Sequence, residues 1–121
     1  MLNFLCVGCG AFVGACFRYF LTRVLPTSFP YGTLVSNVIA ALFIGFVMGW
    51  ERNITALAEP TRLLLTTGLL GGLSTFSAFS METVTMLEAQ EYLRAGTNVA
   101  LNLGLCLVCV LGGLAAARLA H

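Results

Sequence analysis

Apolar residues fall along this chain in four long runs, separated by short polar or proline-containing stretches. Crossing about 30 Å of hydrocarbon takes about 20 helical residues, and each run is long enough. The first covers roughly residues 3–24. Pro26-Thr27-Ser28-Phe29-Pro30 ends it, because two prolines remove backbone donors and stiffen the turn. The second covers roughly 32–50 and stops at Glu51-Arg52-Asn53, with Trp50 placed to anchor it among lipid headgroups. Pro60 opens the third, roughly 61–87, and Glu88-Ala89-Gln90-Glu91 is the next turn. The fourth covers roughly 92–119. The pattern predicts an all-α membrane protein of four transmembrane helices, a single transmembrane domain over 1–121. Short connections predict that consecutive helices lie antiparallel and adjacent.

Composition strengthens this reading. Hydrophobic residues make up 59% of the 121 and charged residues 9%, against about 25% charged in a typical soluble domain. Such a chain cannot cover itself with a water-compatible surface. Lysine is absent, and there is no basic patch of the kind nucleic acid requires. Met1-Leu2-Asn3 lacks a positive n-region, so the first run reads as a retained helix rather than a signal peptide. Cys6/Cys9 and Cys106/Cys109 each form a CxxC. Both lie inside apolar runs, where cysteine acts as a small hydrophobe, so packing is expected there rather than zinc or redox chemistry.

Small residues recur four apart. Gly10/Gly14, Gly45/Gly49 (with Ala41 one step earlier) and Gly68/Gly72 are faces on which helix backbones approach closely in lipid. The arginines add a constraint on orientation. With four spans, Arg52, Arg62 and Arg118 share one side and Arg18, Arg23 and Arg94 the other, three against three. Topology follows the Lys/Arg bias, and here there is none. Insertion in both orientations follows, and with it an antiparallel two-fold dimer.

The third segment carries the candidate chemistry. Residues 61–87 would make a helix about 40 Å long, and Gly71-Gly72-Leu73-Ser74-Thr75 lies near its middle. Glycines and hydroxyls together at that depth suggest a broken helix. Its freed carbonyls either meet neighbouring helices as a packing kink or serve as hard oxygen ligands for Na⁺. Phe76 and Phe79, three apart, share one face, and Ser77 and Ser80 share another. The rings are either core or lipid contacts, or they turn their positive edges toward a passing anion. Polar residues are rare in such spans and worth noting. They are Asn37, Glu82, and Asn98 and Asn102 four apart on the fourth helix, with Arg18 in the first. Interhelical hydrogen bonds account for any one asparagine, and three of them beside the serines read as a polar track. There is no P-loop, no carboxylate pair placed for acid–base work and no histidine besides His121, so an enzyme is not expected.

Gly71-Gly72-Leu73-Ser74-Thr75-Phe76-Ser77-Ala78-Phe79-Ser80 with Glu82 closely resembles the third-helix signature of the Fluc (CrcB) fluoride channels. Gly10–Ala15 with Arg18-Tyr19, and Gly32–Asn37, are similar to that family's first- and second-helix motifs. The resemblance spans nearly the whole chain. It implies a dual-topology homodimer in the cell (inner) membrane, with two pores and passive export of fluoride. It places Asn37 in the pore and Phe76 and Phe79 in a ring-lined anion contact. It makes the carbonyls of Gly71 and Ser74 ligands of a central structural Na⁺ at the dimer interface. Ser77, Ser80, Asn98 and Asn102 would fall on or near the polar track. Glu82 would be a vestibule glutamate and Arg18 a first-helix motif residue. Ala78 departs from the family pattern, which has threonine there. Two other readings compete. A drug–proton exporter needs a membrane carboxylate, which the first run lacks entirely. A non-transporting assembly subunit is separated by ion flux from liposomes holding this protein alone.

Overall fold

A computed structural model describes residues 1–120, and His121 lies outside the described residues. The elements in chain order are α1 (Leu2–Val24), α2 (Tyr31–Asn53), α3 (Glu59–Leu63), a π-helical stretch (Leu64–Leu70), α4 (Gly71–Leu73), α5 (Phe76–Glu88) and α6 (Tyr92–Leu119). No strand occurs among the described residues. The pieces from α3 to α5 form one bent span, Glu59–Glu88, and the structure has four helical spans long and apolar enough to cross a membrane.

Local chemistry sets the ends. Leu25 precedes Pro26 and takes an extended conformation (φ −86°, ψ 154°), because proline's ring excludes the helical region for its predecessor. Pro60 sits in the first turn of α3, where a missing N–H costs nothing. The α5–α6 turn uses Gln90 at φ 60°, and the Glu91 N–H closes it on Met86 O at 2.9 Å. Helix α2 runs past the expected stop at residue 50. The Asn53 side chain donates to Gly49 O at 2.8 Å, and Ile54 N donates to Trp50 O. The second bond covers a carbonyl of the last turn that would otherwise be orphaned, and the first ties the Asn53 side chain back onto the helix.

Helix pairing does not follow chain order throughout. Helix α1 packs chiefly against the third span and α2 chiefly against α6, so the second and third spans, though consecutive, touch little. Matched glycine faces decide it. A Cβ at Gly14 would stand 2.8 Å from Leu73 N, one at Gly68 2.8 Å from Val7 O, and one at Gly72 2.6 Å from Ala11 O. On the other seam, a Cβ at Gly49 would stand 2.7 Å from Ala117 Cβ and one at Gly113 2.6 Å from Phe46 N. Backbones in such contact gain dispersion that bulky side chains would deny them. The apolar core is small and centres on Ala40, Leu70 and Leu73. Phe4, Phe12, Leu93 and Leu111 stand well exposed, as side chains wetted by lipid do.

The third span breaks within the expected segment, at its hydroxyl end. Gly71 and Gly72 remain helical, and no glycine takes positive φ. Ser74 (φ −81°, ψ 151°) and Thr75 (φ −150°, ψ 121°) make the extended break. The glycines serve close approach instead, and Gly72 lies against Ala11. The π-helical turn just before the break was not legible in the sequence.

Filling the first seam should be destructive. Gly14→Val is expected to lower stability by about 1–3 kcal/mol through overpacking, read as a lower melting temperature in detergent. Gly8→Ala meets nothing within 4 Å and should change stability by less than about 0.5 kcal/mol. Equal melting temperatures for the two variants would refute the seam.

Candidate ion pathway at the helix break

The break leaves backbone groups without helical partners, and Asn37 of α2 takes up two of them. Its Oδ1 accepts from the Thr75 N–H at 2.7 Å, and its Nδ2 donates to Thr75 O at 3.2 Å. One side-chain amide thus pairs with one residue's backbone as a neighbouring strand would. The second Nδ2 hydrogen goes to Asn102 Oδ1 at 3.0 Å. Thr75 in turn caps α5, its hydroxyl accepting from the Ala78 N–H at 3.2 Å and lying 3.2 Å from Ser77 Oγ. Satisfying these groups inside the protein is what permits a broken helix at membrane depth.

The same bonds free two carbonyls. In an unbroken helix Gly71 O would accept from Thr75 N and Ser74 O from Ala78 N. Those donors are committed to Asn37 Oδ1 and Thr75 Oγ1. Gly71 is exposed and Ser74 half-buried, so both carbonyls lie at or near the surface of the single chain. No cluster of three or more His, Cys, Asp or Glu residues able to hold a metal occurs among the described residues. Backbone carbonyls are hard oxygen donors suited to a monovalent cation, and those of Gly71 and Ser74 fit that chemistry.

A cavity of about 400 Å³ opens beside the break. Asn37, Gly71, Ser74, Phe76, Phe79 and Asn102 all border it, with apolar α2 and α6 side chains and Cys106 completing the wall. Phe79 is 7% exposed and Phe76 73%. Their ring centroids are 5.4 Å apart and tilted by 56°.

The structure does not gather every expected residue here. Asn98 is fully buried behind the wall, accepting from Asn102 Nδ2 at 3.0 Å and donating to Thr83 Oγ1 at 2.9 Å. Ser80 donates to Phe76 O at 2.9 Å within its own helix, and Ser77 meets only Thr75. Glu82 borders a second cavity of about 430 Å³, together with Thr33, Arg94 and the 26–30 loop. Thr33 donates to Glu82 Oε1 at 2.6 Å, while Glu82 Oε2 is buried without a partner. Arg94 shapes that second cavity. It donates to Ser28 O, pairs with Glu91 at 3.0 Å, and lies 5.9 Å from the Phe29 ring centroid. Arg18 is half-buried with an unpartnered Nε and borders neither cavity. All five cysteines are free.

Thr75, Thr83 and Thr33 are central to this geometry and had no role assigned from the sequence. Thr75 carried a readable signal, since a hydroxyl residue just before a helix is an N-cap. Thr83 and Thr33 acquire partners only through tertiary packing.

Comparison with known proteins bears on the same residues. The family described as "CrcB-like protein, Camphor Resistance (CrcB)" matches residues 5–114. A "Fluoride-specific ion channel FluC" of Clostridium novyi is 44% identical over 119 residues, covering 95% of this chain and 93% of the relative. One of Shewanella putrefaciens is 43% identical over 114 residues, 91% of each chain. One of Methanococcus aeolicus is 36% identical over 115 residues, 93% of each. With the match running from α1 into the last part of α6 and enclosing the break and both cavities, this chain belongs to the CrcB family.

Proposed function

We propose that the chain is a fluoride channel, working as an antiparallel dual-topology homodimer with two pores and a structural Na⁺ between the copies. The observation that carries the reading is the single groove in which Asn37, Phe76 and Phe79 meet the helix break. The names of the relatives supply the ion. Residence in the cell (inner) membrane and passive export belong to the same reading.

The chemistry is coherent. Fluoride is small and strongly hydrated, so shedding water requires close donors and positive ring edges. Both Asn37 donor hydrogens are engaged at rest. The longer bond, 3.2 Å to Thr75 O, is the one to lend to a passing ion. The 2.7 Å bond from Thr75 N meanwhile keeps the amide in place. The ring edges of Phe76 and Phe79 replace water without binding too tightly for release. Ser77, Ser80 and Asn102 stand near this route, and Glu82 with Thr33 borders the vestibule.

A second copy is supported by two features. Phe76 is largely bare, and the Gly71 and Ser74 carbonyls of one chain are by themselves too few to replace a cation's hydration. An antiparallel two-fold, in which a patch meets its own copy, would double them to four beside the exposed rings. The even arginine count leaves both orientations open to insertion.

Three outcomes follow. Liposomes containing this chain alone should release fluoride, and Phe79→Ile or Phe76→Ile should slow release by roughly tenfold per folded dimer, the equivalent of about 1.4 kcal/mol. Asn37→Asp should nearly stop it, while Glu88→Gln should do little. Unaltered release from both phenylalanine variants would remove the rings from the mechanism.

Thr55→Lys with Ala56→Lys should fix one orientation and abolish release, and co-expression with a Thr27→Lys/Glu88→Lys partner should restore it. Full activity of the first variant alone would exclude dual topology. A density map of the dimer in sodium buffer should show a cation between the Gly71 and Ser74 carbonyls of both copies, and a map without one would exclude the central Na⁺.

A further inference from the structure

Behind the groove runs a chain of side-chain hydrogen bonds, two of whose members, Asn98 and Thr83, border neither cavity. Asn37 Nδ2 donates to Asn102 Oδ1 at 3.0 Å, Asn102 Nδ2 to Asn98 Oδ1 at 3.0 Å, Asn98 Nδ2 to Thr83 Oγ1 at 2.9 Å, and Thr83 Oγ1 to Phe79 O at 2.8 Å. It joins three spans and connects the Thr75 backbone at the break to the Phe79 backbone one helical turn on. Asn98 and Asn102 are buried, at 0% and 4% exposure, and Asn102 Nδ2 also donates to the Asn98 backbone carbonyl at 3.0 Å.

The direction of this chain has one solution. The Thr75 N–H can only donate, so Asn37 must present Oδ1 to it and turn Nδ2 toward Asn102. At the other end the Phe79 carbonyl can only accept. Thr83 therefore spends its single hydrogen there and must accept from Asn98. Both ends impose the same polarity, and each amide between them is held in one of its two flips. Bonds aligned in this way polarise one another and strengthen the whole.

We infer that Thr83 and Asn98 are positioning residues: through Asn102 they hold the placement of the Asn37 amide, and with it the backbone of Thr75, without contacting the permeating ion. The functional consequence rests on the channel reading above, whereas the structural coupling does not. Removing the Thr83 hydroxyl leaves the Asn98 donor unanswered, and an Asn98 amide that turns away gives up its Oδ1 contact with Asn102, leaving Asn102 held by the Asn98 backbone carbonyl alone. Asn37 keeps its Oδ1 toward the Thr75 N–H but rests on a looser partner at Nδ2.

The test compares Thr83→Val, which keeps shape and removes the hydroxyl, with Thr83→Ser, which restores it. Two quantities are read on the full chain. One is hydrogen exchange at the Thr75 amide, resolved by nuclear magnetic resonance in micelles. The other is fluoride release from liposomes per folded protein. Thr83→Val is expected to speed Thr75 exchange and slow release, each by about tenfold, the loss of about one buried hydrogen bond, with Thr83→Ser close to the parent on both. A second variant, Asn98→Leu, interrupts the chain without leaving the Asn98 donor buried and should also speed Thr75 exchange. Unchanged Thr75 exchange in folded Thr83→Val or Asn98→Leu overturns the inference. So does failure of both variants to fold, which would make the chain a purely structural staple. Altered Thr75 exchange in liposome-silent protein, parent included, would uphold the coupling and sink the channel reading instead.

Discussion

A broken helix in lipid survives only if its buried backbone groups find partners, and here one asparagine supplies them for the buried residue of the break, Thr75. Asn37 covers both the N–H and the C=O of Thr75. A buried unsatisfied amide costs about 1–3 kcal/mol, more where no water reaches it, so without Asn37 the break would be strongly disfavoured against a continuous helix. The break in turn turns α5 onto a new axis, places Phe79 against the groove, and leaves the Gly71 and Ser74 carbonyls without donors. The features on which the pathway depends are thus consequences of a single side-chain clamp.

That clamp works only if α2 lies beside the break and α6 beside α2, and the glycine seams secure both. Gly45 and Gly49 bring α2 against Gly113 and Ala117 of α6 closely enough that a Cβ would collide. Asn102 then reaches Asn37 through side chains alone. Gly10 and Gly14 likewise hold α1 against Gly68 and Gly72, fixing the first half of the third span. Without water to drive apolar surfaces together, close van der Waals packing does this work.

The sequence carried the four spans, the three glycine faces and the position of the break, because length, apolarity and small-residue spacing are local properties. It did not carry the pairing of α1 with the third span and α2 with α6. Short connections favoured chain-order neighbours, whereas complementary glycine faces selected otherwise. The sequence marks residues 71–75 as the break without showing which of them leave the helix. Gly71 and Gly72 stay helical, and the extended residues are Ser74 and Thr75. The groove's polar and aromatic members Asn37, Phe76, Phe79 and Asn102 were all legible from residue type and spacing. The different placement of Asn98, buried behind that wall, was not, since which face of α6 is covered depends on where α2 and α5 arrive.

Hydroxyls in membrane spans are abundant, and their hydrogen bonds separate ordinary from special ones. Thr22, Ser36, Thr66, Ser74, Ser80, Thr83, Thr85 and Thr97 all donate to the carbonyl four residues back. This is the internal solution open to any serine or threonine in a helix. A proton held in that way reaches a passing anion only by giving up its bond. Thr33, bonded to Glu82, and Thr75 and Ser77, bonded to each other, do not take that solution. Thr75 borders the groove and Thr33 the second cavity, where the helix no longer supplies the expected carbonyl or another acceptor outcompetes it. Thr66 and Ser74 border the same groove with their protons held by their own helix, so of the hydroxyls lining it only Thr75 has a hydrogen that is not committed to back-bonding.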